Sequence, residues 1–229
     1  MILYLWYINI DKGISKIIKR SIKYLKSLND GDNMYKEITK EVLESSSFLA
    51  EGTTCIIIRT EEGEAYKIYK QAIDYIKGSG IYNLELEYEK ERLEFIVSHK
   101  DEIKNSRMPD AILSVDGKPV GVKIEYYDNC VTLLEYLQKN PETDLDVVKN
   151  KLHDIVGEMI KYNIIPTDPN FENFMVRLDG EEPEIVMVDV DDIYVDVYPP
   201  GKSEVFKESS IHACYNVIDL SFQSLTVQK

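Results

Sequence analysis

The sequence predicts an α+β fold with a sheet-rich N-terminal half and a helical C-terminal half. Short β-rich runs, separated by glycine and acidic turns, occupy residues 48–127 together with one charged helical pattern. Amphipathic helical patterns then dominate residues 131–162, and two short strands follow on either side of Asp179-Gly180. With 229 residues and 44% hydrophobic content, the chain is long enough for one substantial core or two small lobes.

Residues 1–47 are predicted to form a helical N-terminal extension. Its first ten residues are apolar, but no basic residue precedes them and the run ends at Asp11. It therefore fits neither a secretory signal nor a transmembrane segment, which needs about 20 apolar residues. Residues 14–28 show apolar residues at helical spacing and five basic residues on the other face. This basic helix is expected either to dock on the core or to contact an acidic partner or an anionic membrane surface.

Residues 48–69 are predicted to form a strand meander. The run 55–58 is β-rich, residues 61–64 turn the chain, and residues 65–69 alternate in polarity. The turn Gly52-Thr53-Thr54 is small enough for backbone N–H groups to approach phosphate oxygens, and Lys67 would supply positive charge to the same phosphates. An ordinary hairpin with a solvated lysine is the alternative interpretation.

A charged helix is predicted over residues 84–97, followed by a hairpin over residues 112–127 that turns at Asp116-Gly117. A phosphate-binding lysine is usually oriented by a carboxylate on a nearby helix. Glu89 shares a helical face with Leu86, Leu93 and Ile96, so it is the expected inward carboxylate, and Glu91 is the second choice.

The most informative pattern is an aspartate and an asparagine ahead of an apolar strand, with a second aspartate soon after. Asp168 is followed five positions later by Asn173, residues 174–176 are apolar, and the apolar run 185–188 ends at Asp189. Phosphoryl transfer needs one carboxylate for the attacking hydroxyl, and an amide oxygen and a second carboxylate for the metal. The alternative is structural, with Asp168 and Asn173 capping turns and residues 189–192 forming an acidic loop.

Together these segments resemble the protein-kinase-like superfamily, and most of all the minimal bacterial effector kinases that lack much of the C-terminal lobe. The resemblance covers residues 48–198 and is carried by residues 49–54, 65–69, 87–93, 121–126, 168–173 and 188–191. It implies a minimal bilobal fold, with a kinase-like N-terminal lobe over residues 48–127 and a truncated, helical C-terminal lobe over residues 128–229.

The resemblance also implies the site residues and cofactors. Nucleotide contact is implied for Gly52, Thr53, Thr54, Lys67, Glu125 and Tyr126, the last two at the hinge that would meet adenine. Catalysis is implied for Asp168 as the base, Lys67 on the phosphates and Glu89 orienting that lysine. Binding of Mg²⁺ is implied for Asn173 and Asp189, so the expected cofactors are ATP and Mg²⁺.

The chain departs from the family at four points. Pro166-Thr167 precedes Asp168 where family members commonly have His-Arg or His-Gly, Asp191 replaces a glycine, Gly52 stands alone in its turn, and only 40 residues follow Asp189. The expected activity is transfer of the γ-phosphate of ATP to a protein serine, threonine or tyrosine. A pseudokinase scaffold for a partner protein, AMP transfer, and phosphorylation of a small molecule stay open as alternatives.

Composition limits the partners and the compartment. The formal charge of −14 opposes nucleic-acid binding, which depends on cationic groups. Three cysteines without zinc or disulfide spacing indicate a reducing compartment, either the cytoplasm or, by the resemblance, a host cytosol into which an effector is delivered. The tail after Pro199-Pro200-Gly201 is predicted to be a loop followed by a short helix.

Overall fold

The computed structural model describes residues 34–180, 182–190, 193–195 and 204–227. The predicted basic helix over residues 14–28 lies outside these residues, and so does Asp191. All three cysteines are free thiols, with Cys55 and Cys214 buried.

A six-stranded sheet forms most of the N-terminal half. Its strands are β1 (Tyr35–Glu37), β2 (Ser47–Glu51), β3 (Cys55–Arg59), β4 (Ala65–Tyr69), β5 (Ala111–Val115) and β6 (Lys118–Ile124). They lie in the order β1-β5-β6-β4-β3-β2. Strand β1 runs parallel to β5, and every other neighbouring pair is antiparallel. The predicted meander and the predicted hairpin are both present, as β2-β3-β4 and β5-β6.

Each face of this sheet is buried against helices. Tyr66, Ile68 and Leu113 pack on one face with residues from α2 (Ile73–Ile76) and α3 (Glu85–Tyr88). Ile112 and Val122 pack on the other face with α4 (Lys90–Val97) and with the C-terminal half. Residues directly opposite each other in an antiparallel pair project to the same face. Lys67 lies opposite Val122, so it projects toward the face that meets α4 and the C-terminal half.

The segment before β2 also belongs to the sheet layer. Met34 and Ile38 are buried, β1 forms the sheet edge next to β5, and the short helix α1 (Lys40–Ser45) connects β1 to β2. The domain boundaries at residues 48 and 128 stay a prediction, and the residues just ahead of the first boundary contribute a strand and a helix to the sheet layer.

The described residues of the C-terminal half include three α-helices and two small sheets. The helices are α5 (Leu133–Lys139), α6 (Leu145–Lys161) and α7 (Glu204–Val227). The strands are β7 (Cys130–Thr132), β8 (Ile164–Pro166), β9 (Phe174–Arg177), β10 (Glu184–Met187) and β11 (Ile193–Val195). They form a three-stranded sheet in the order β10-β9-β7 and a two-stranded sheet of β11 and β8. The α+β prediction is confirmed, with a sheet-rich N-terminal region and several helices.

Helices α6 and α7 hold the C-terminal half together. The predicted apolar stripe of α6 is buried at Leu152, Ile155, Val156 and Met159. Asp219 of α7 bonds Lys149 and His153 of α6 at 2.9 and 3.1 Å. The prediction of a short final helix is wrong, because α7 has 24 residues. Cys214, Ile218 and Phe222, spaced four apart, give α7 a buried side that stabilises its full length.

Among the residues with described positions, no helix combines the length and the apolar character that a membrane crossing requires.

Candidate active site

The candidate site is centred on an ion pair between the two halves of the molecule. Lys67 lies in the middle of β4, and its ammonium group bonds a carboxylate oxygen of Asp189, which follows β10. The side chain of Lys67 is 8% exposed and that of Asp189 is 45% exposed. Lys67 belongs to the six-stranded sheet and Asp189 follows a strand of the three-stranded sheet, so their contact joins two of the predicted site residues at the junction of the halves.

Asp189 has an unusual backbone conformation. Its φ is 62°, in the left-handed region, which non-glycine residues rarely adopt. Such a conformation costs on the order of 1–3 kcal/mol and persists where the surrounding structure holds it, often at functional sites. Here the chain turns sharply after β10 at the residue whose carboxylate meets Lys67.

The loop between β8 and β9 carries Asp168 and is held by its own side chains. The amide group of Asn173 donates to the backbone carbonyl of Asp168 at 2.7 Å, and the amide of Asn170 donates to the Asp168 carboxylate at 2.8 Å. Asn170 also accepts from the N–H of Glu172 and so caps the 3₁₀ turn Phe171–Asn173. Phe171 is buried and packs edge-on against Phe222 of α7, with 4.9 Å between ring centroids. Asp168 is therefore exposed on a fixed loop.

Asn173 and Asp189 are brought together by the β9–β10 hairpin. Phe174 pairs with Met187, and the N–H of Val188 donates to the Asn173 carbonyl at 2.8 Å. Because the side-chain nitrogen of Asn173 is bonded to Asp168, its side-chain oxygen is the atom left to bind a cation. An amide oxygen and a carboxylate are the kind of ligands that Mg²⁺ prefers, so this donor pair fits the predicted metal.

Glu89 does not occupy the predicted position. The predicted helix is broken there into α3 and α4, and the Glu89 carboxylate bonds Arg92 at 2.5 Å and not Lys67. The buried carboxylate of α4 is Glu94, which is 8% exposed and accepts a hydrogen bond from the Tyr35 hydroxyl at 2.5 Å. Glu94, and not Glu89, is therefore the buried glutamate of this segment. In the sequence, the position of Glu94 inside the apolar run 93–97 is the signal that indicates its burial.

The turn over residues 52–54 joins β2 to β3 and is exposed. The Gly52 N–H donates to the Cys55 carbonyl and the Lys70 N–H donates to the Thr54 carbonyl, both at 2.9 Å. Ile57 pairs with Lys67, so Thr54 lies about 10 Å along the strand direction from the lysine. The turn thus lies at the start of β3, about three residues along the strand direction from the position opposite Lys67.

The segment connecting the two halves is fixed by two arginines. Arg107 donates to the backbone carbonyl of Glu125, and the Arg59 guanidinium lies 4.8 Å from the centroid of the Tyr126 ring. Burial lowers the pKa of the Arg107 guanidinium to about 10. A cavity of about 390 Å³ lies beside Arg107, Glu125 and Tyr127. The Glu125 carbonyl thus already accepts a hydrogen bond from Arg107, whereas the Tyr126 side chain is exposed. The sequence did not identify Arg107 as a residue of this segment.

The arrangement combines one buried cation, two oxygen donors for a metal and one exposed carboxylate. Within the described part of the chain, no group of three or more His, Cys, Asp and Glu side chains forms a metal-binding cluster. No family model matches the chain, and a search of the curated proteins finds no match to it. The function is therefore argued from the geometry of this chain.

Proposed function

We propose that the protein is an ATP- and Mg²⁺-dependent kinase-like phosphotransferase with a minimal bilobal fold. It would transfer the γ-phosphate to a serine, threonine or tyrosine hydroxyl of a protein substrate. The observation that carries the proposal is the bond between Lys67 and Asp189 across the junction of the two halves, with Asn173 beside Asp189. In protein kinases a strand lysine and a metal-binding aspartate must both be in place around the nucleotide phosphates.

The order of elements supports the same proposal. In protein kinases the phosphate-binding lysine lies on the third strand, and a helix supplies its carboxylate partner. Lys67 lies on the third strand of the antiparallel run β2-β3-β4, and the helices α3 and α4 follow before the β5–β6 hairpin. We propose that Glu94, the buried carboxylate of α4, orients Lys67 in place of Glu89.

Each side chain has a distinct task in the proposed reaction. Lys67 supplies positive charge to the nucleotide phosphates, and Asn173 and Asp189 would hold Mg²⁺, which neutralises charge developing on the phosphates. Asp168 accepts the proton of the attacking hydroxyl while the substrate oxygen bonds the γ-phosphorus and ADP leaves. The hydrogen bond from Asn170 keeps one Asp168 oxygen in place. Because Asp168 is exposed, its carboxylate is accessible to a protein substrate.

The proposal is tested by ATP binding and by label transfer. Thermal unfolding with ATP and Mg²⁺ should show stabilisation that follows RT ln(1 + [L]/Kd), and Lys67→Met should reduce it. Transfer from γ-labelled ATP to a generic protein substrate or to the chain itself should depend on Asp168. Unchanged transfer by Asp168→Ala would refute the proposed mechanism, and no stabilisation at millimolar nucleotide would refute the nucleotide site.

A nucleotide-binding scaffold is the second candidate. It is favoured by the exposed turn over residues 52–54, which has a single glycine and lies about 10 Å along the strand direction from Lys67. ATP-dependent stabilisation without any covalent product would support the scaffold. Mass spectrometry distinguishes AMP transfer, because AMP transfer leaves adenylate and not phosphate on the product.

A further inference from the structure

An exposed apolar stripe lies at the start of the helical segment between β4 and β5. Ile81, Leu84 and Tyr88 are 95%, 70% and 84% exposed. Leu84 and Tyr88 are four residues apart at the two ends of the turn that forms α3. Ile81 lies three residues before Leu84, ahead of the helix. Single exposed apolar residues are normal on protein surfaces, but grouped large ones mark interaction sites.

The same surface is acidic. Glu85, Glu87 and Glu91 are exposed and lie between or next to the apolar residues. In the part of the chain that the structure describes, none of these three glutamates forms an ion pair. We call Ile81, Leu84, Tyr88 and these glutamates the α3 surface. A partner that combines an apolar stripe with a row of cations would fit it.

The chain itself contains such a segment. Residues 14–28 carry apolar side chains at helical spacing and five basic residues on the other face. This segment fits the α3 surface both by its stripe and by its charge, and the chain as a whole is strongly acidic, with a net charge of −14. Charge and hydropathy therefore both favour this occupant over a second copy of the acidic domain.

The connection to the described residues gives the segment the necessary reach. Met34 is buried in the same core as Leu93 of α4, and the Tyr35 hydroxyl bonds Glu94. The ammonium of Lys90, two residues after Tyr88, lies 5.8 Å from the centroid of the Tyr35 ring. The chain therefore enters the described structure beside α4. The five residues 29–33 can span roughly 17 Å when extended, and Tyr88 of the α3 surface is only two residues from Lys90, which lies beside Tyr35.

We propose that residues 14–28 form a helix that docks on the α3 surface of the same molecule. Its apolar stripe covers Leu84 and Tyr88, and its lysines face Glu85, Glu87 and Glu91. Docking there holds α3 and the start of α4 against the sheet. This inference is independent of the proposed phosphotransfer, because neither surface contains a proposed catalytic residue.

The contact is tested first by zero-length coupling of carboxylates to amines in the full chain at low concentration, followed by mass spectrometry. Expected products join Lys16, Lys19, Lys23 or Lys26 to Glu85, Glu87 or Glu91 within one molecule. A mixture of isotope-labelled and unlabelled protein distinguishes a contact within one molecule from a contact between two copies. Products that join a labelled to an unlabelled chain would show a contact between two copies and overturn the intramolecular proposal. Absence of these products together with co-sedimentation on anionic vesicles would overturn it in favour of a membrane surface.

A charge exchange tests the contact without relying on cross-linking. Hydrogen exchange at residues 84–90 should be at least about tenfold faster in the double variant Lys19→Glu/Lys23→Glu than in the unaltered protein. Adding Glu87→Lys and Glu91→Lys to this double variant should restore protection. The matched control reverses Glu61 and Glu62, exposed glutamates on the β3–β4 turn. Glu87, Glu91, Glu61 and Glu62 are exposed, so reversing their charges should leave the fold intact. Unchanged exchange in the lysine variant, or equal rescue by the control, would overturn the proposal.

Discussion

The two ends of the proposed nucleotide site are built differently. Around Asp168, Asn173 and Asp189, backbone pairing of β9 with β10 and two side-chain amides fix the polar groups. The turn over residues 52–54 is exposed and is fixed only by single hydrogen bonds at its ends. Groups that act on developing charge need preorganisation. We therefore expect the proposed metal and proton-transfer end to contribute more to the proposed activity than the exposed turn.

The largest expected effect is at the rigid end, from Asp168→Asn. Removing the proton acceptor should lower phosphate transfer by about 10²–10⁴-fold, the range for general acid–base groups. Thermal unfolding should be unchanged, because the Asp168 side chain is exposed. Labelled-phosphate transfer measures the loss. The matched control is Glu172→Gln, an exposed acid in the same loop, which should transfer phosphate at the unaltered rate. Equal losses in both variants would show that loop charge, and not the position of Asp168, matters.

The next effect tests the ion pair at the centre of the site. Lys67→Met should lower kcat by about 10²–10³-fold, as expected for a removed electrostatic donor. The free energy of unfolding should change by about 1 kcal/mol or less, because Asp189 is 45% exposed and can be hydrated.

Lys70→Met is the control for this variant. Lys70 bonds Glu51 at 2.5 Å with 35% of its side chain exposed, and it is three residues from Lys67 on the chain. Its loss should leave both activity and stability nearly unchanged. If Lys70→Met lowered activity as much as Lys67→Met, a general loss of positive charge would explain the result.

The sequence predicted the strands next to two of the candidate site residues. The apolar runs reveal β9 and β10, and the hairpin that these strands form brings Asn173 and Asp189 together, while the roles of both residues stay a prediction. Lys67 is likewise fixed by the alternation in β4. These predictions concern short-range features, in which two or three neighbouring elements decide where a side chain projects.

Other features depend on contacts that a single pattern does not contain. Helical spacing grouped Glu89 with the buried Leu86 and Leu93, but the Glu89 carboxylate bonds Arg92, and Glu94 is the glutamate that is buried. Arg107 reaches the Glu125 carbonyl across 18 positions of sequence. Strand β1 pairs in parallel with β5 over a long separation, and such pairing has no local signal.

A third prediction compares one glycine from the sheet that holds Lys67 with one from the exposed turn. A Cβ added at Gly121 would lie 2.2 Å from the Lys67 carbonyl oxygen, so β4 and β6 would have to separate. Gly121→Ala should therefore destabilise the fold by about 1–3 kcal/mol and impair activity by displacing Lys67. Denaturant unfolding and label transfer measure the two effects.

Gly52→Ala provides the comparison for that variant. A Cβ at Gly52 would meet the Cys55 sulfur at 3.4 Å, an ordinary contact, so stability should change by less than about 0.5 kcal/mol. Any loss of activity would then report on the turn itself. A large loss of nucleotide affinity in Gly52→Ala would contradict the view that the exposed turn contributes little.

The smallest predicted effect involves a charge cluster on the sheet face away from Lys67. Glu64 accepts hydrogen bonds from Lys36, from the Tyr66 hydroxyl at 2.6 Å and from Lys123 at 2.9 Å. The bond from Lys36, followed by that from Tyr66, lowers the Glu64 pKa to about 2 from an ordinary 4.5. A carboxyl with a lowered folded pKa stabilises the protein above the unfolded pKa, and this stability is lost as the pH falls toward the folded pKa.

Stability should therefore decline between about pH 4.5 and pH 2 in a way that depends on Glu64. Glu64→Gln should flatten that decline and lower stability at neutral pH, whereas Glu62→Gln, at an exposed position on the same turn, should leave the profile unchanged. Because Glu64 ties β1 and β6 to the start of β4 on the opposite face, phosphate transfer at neutral pH should be unaffected in folded protein. A loss of transfer in fully folded Glu64→Gln would show that the two faces of the sheet are coupled, and that the rigid end of the site depends on the cluster behind it.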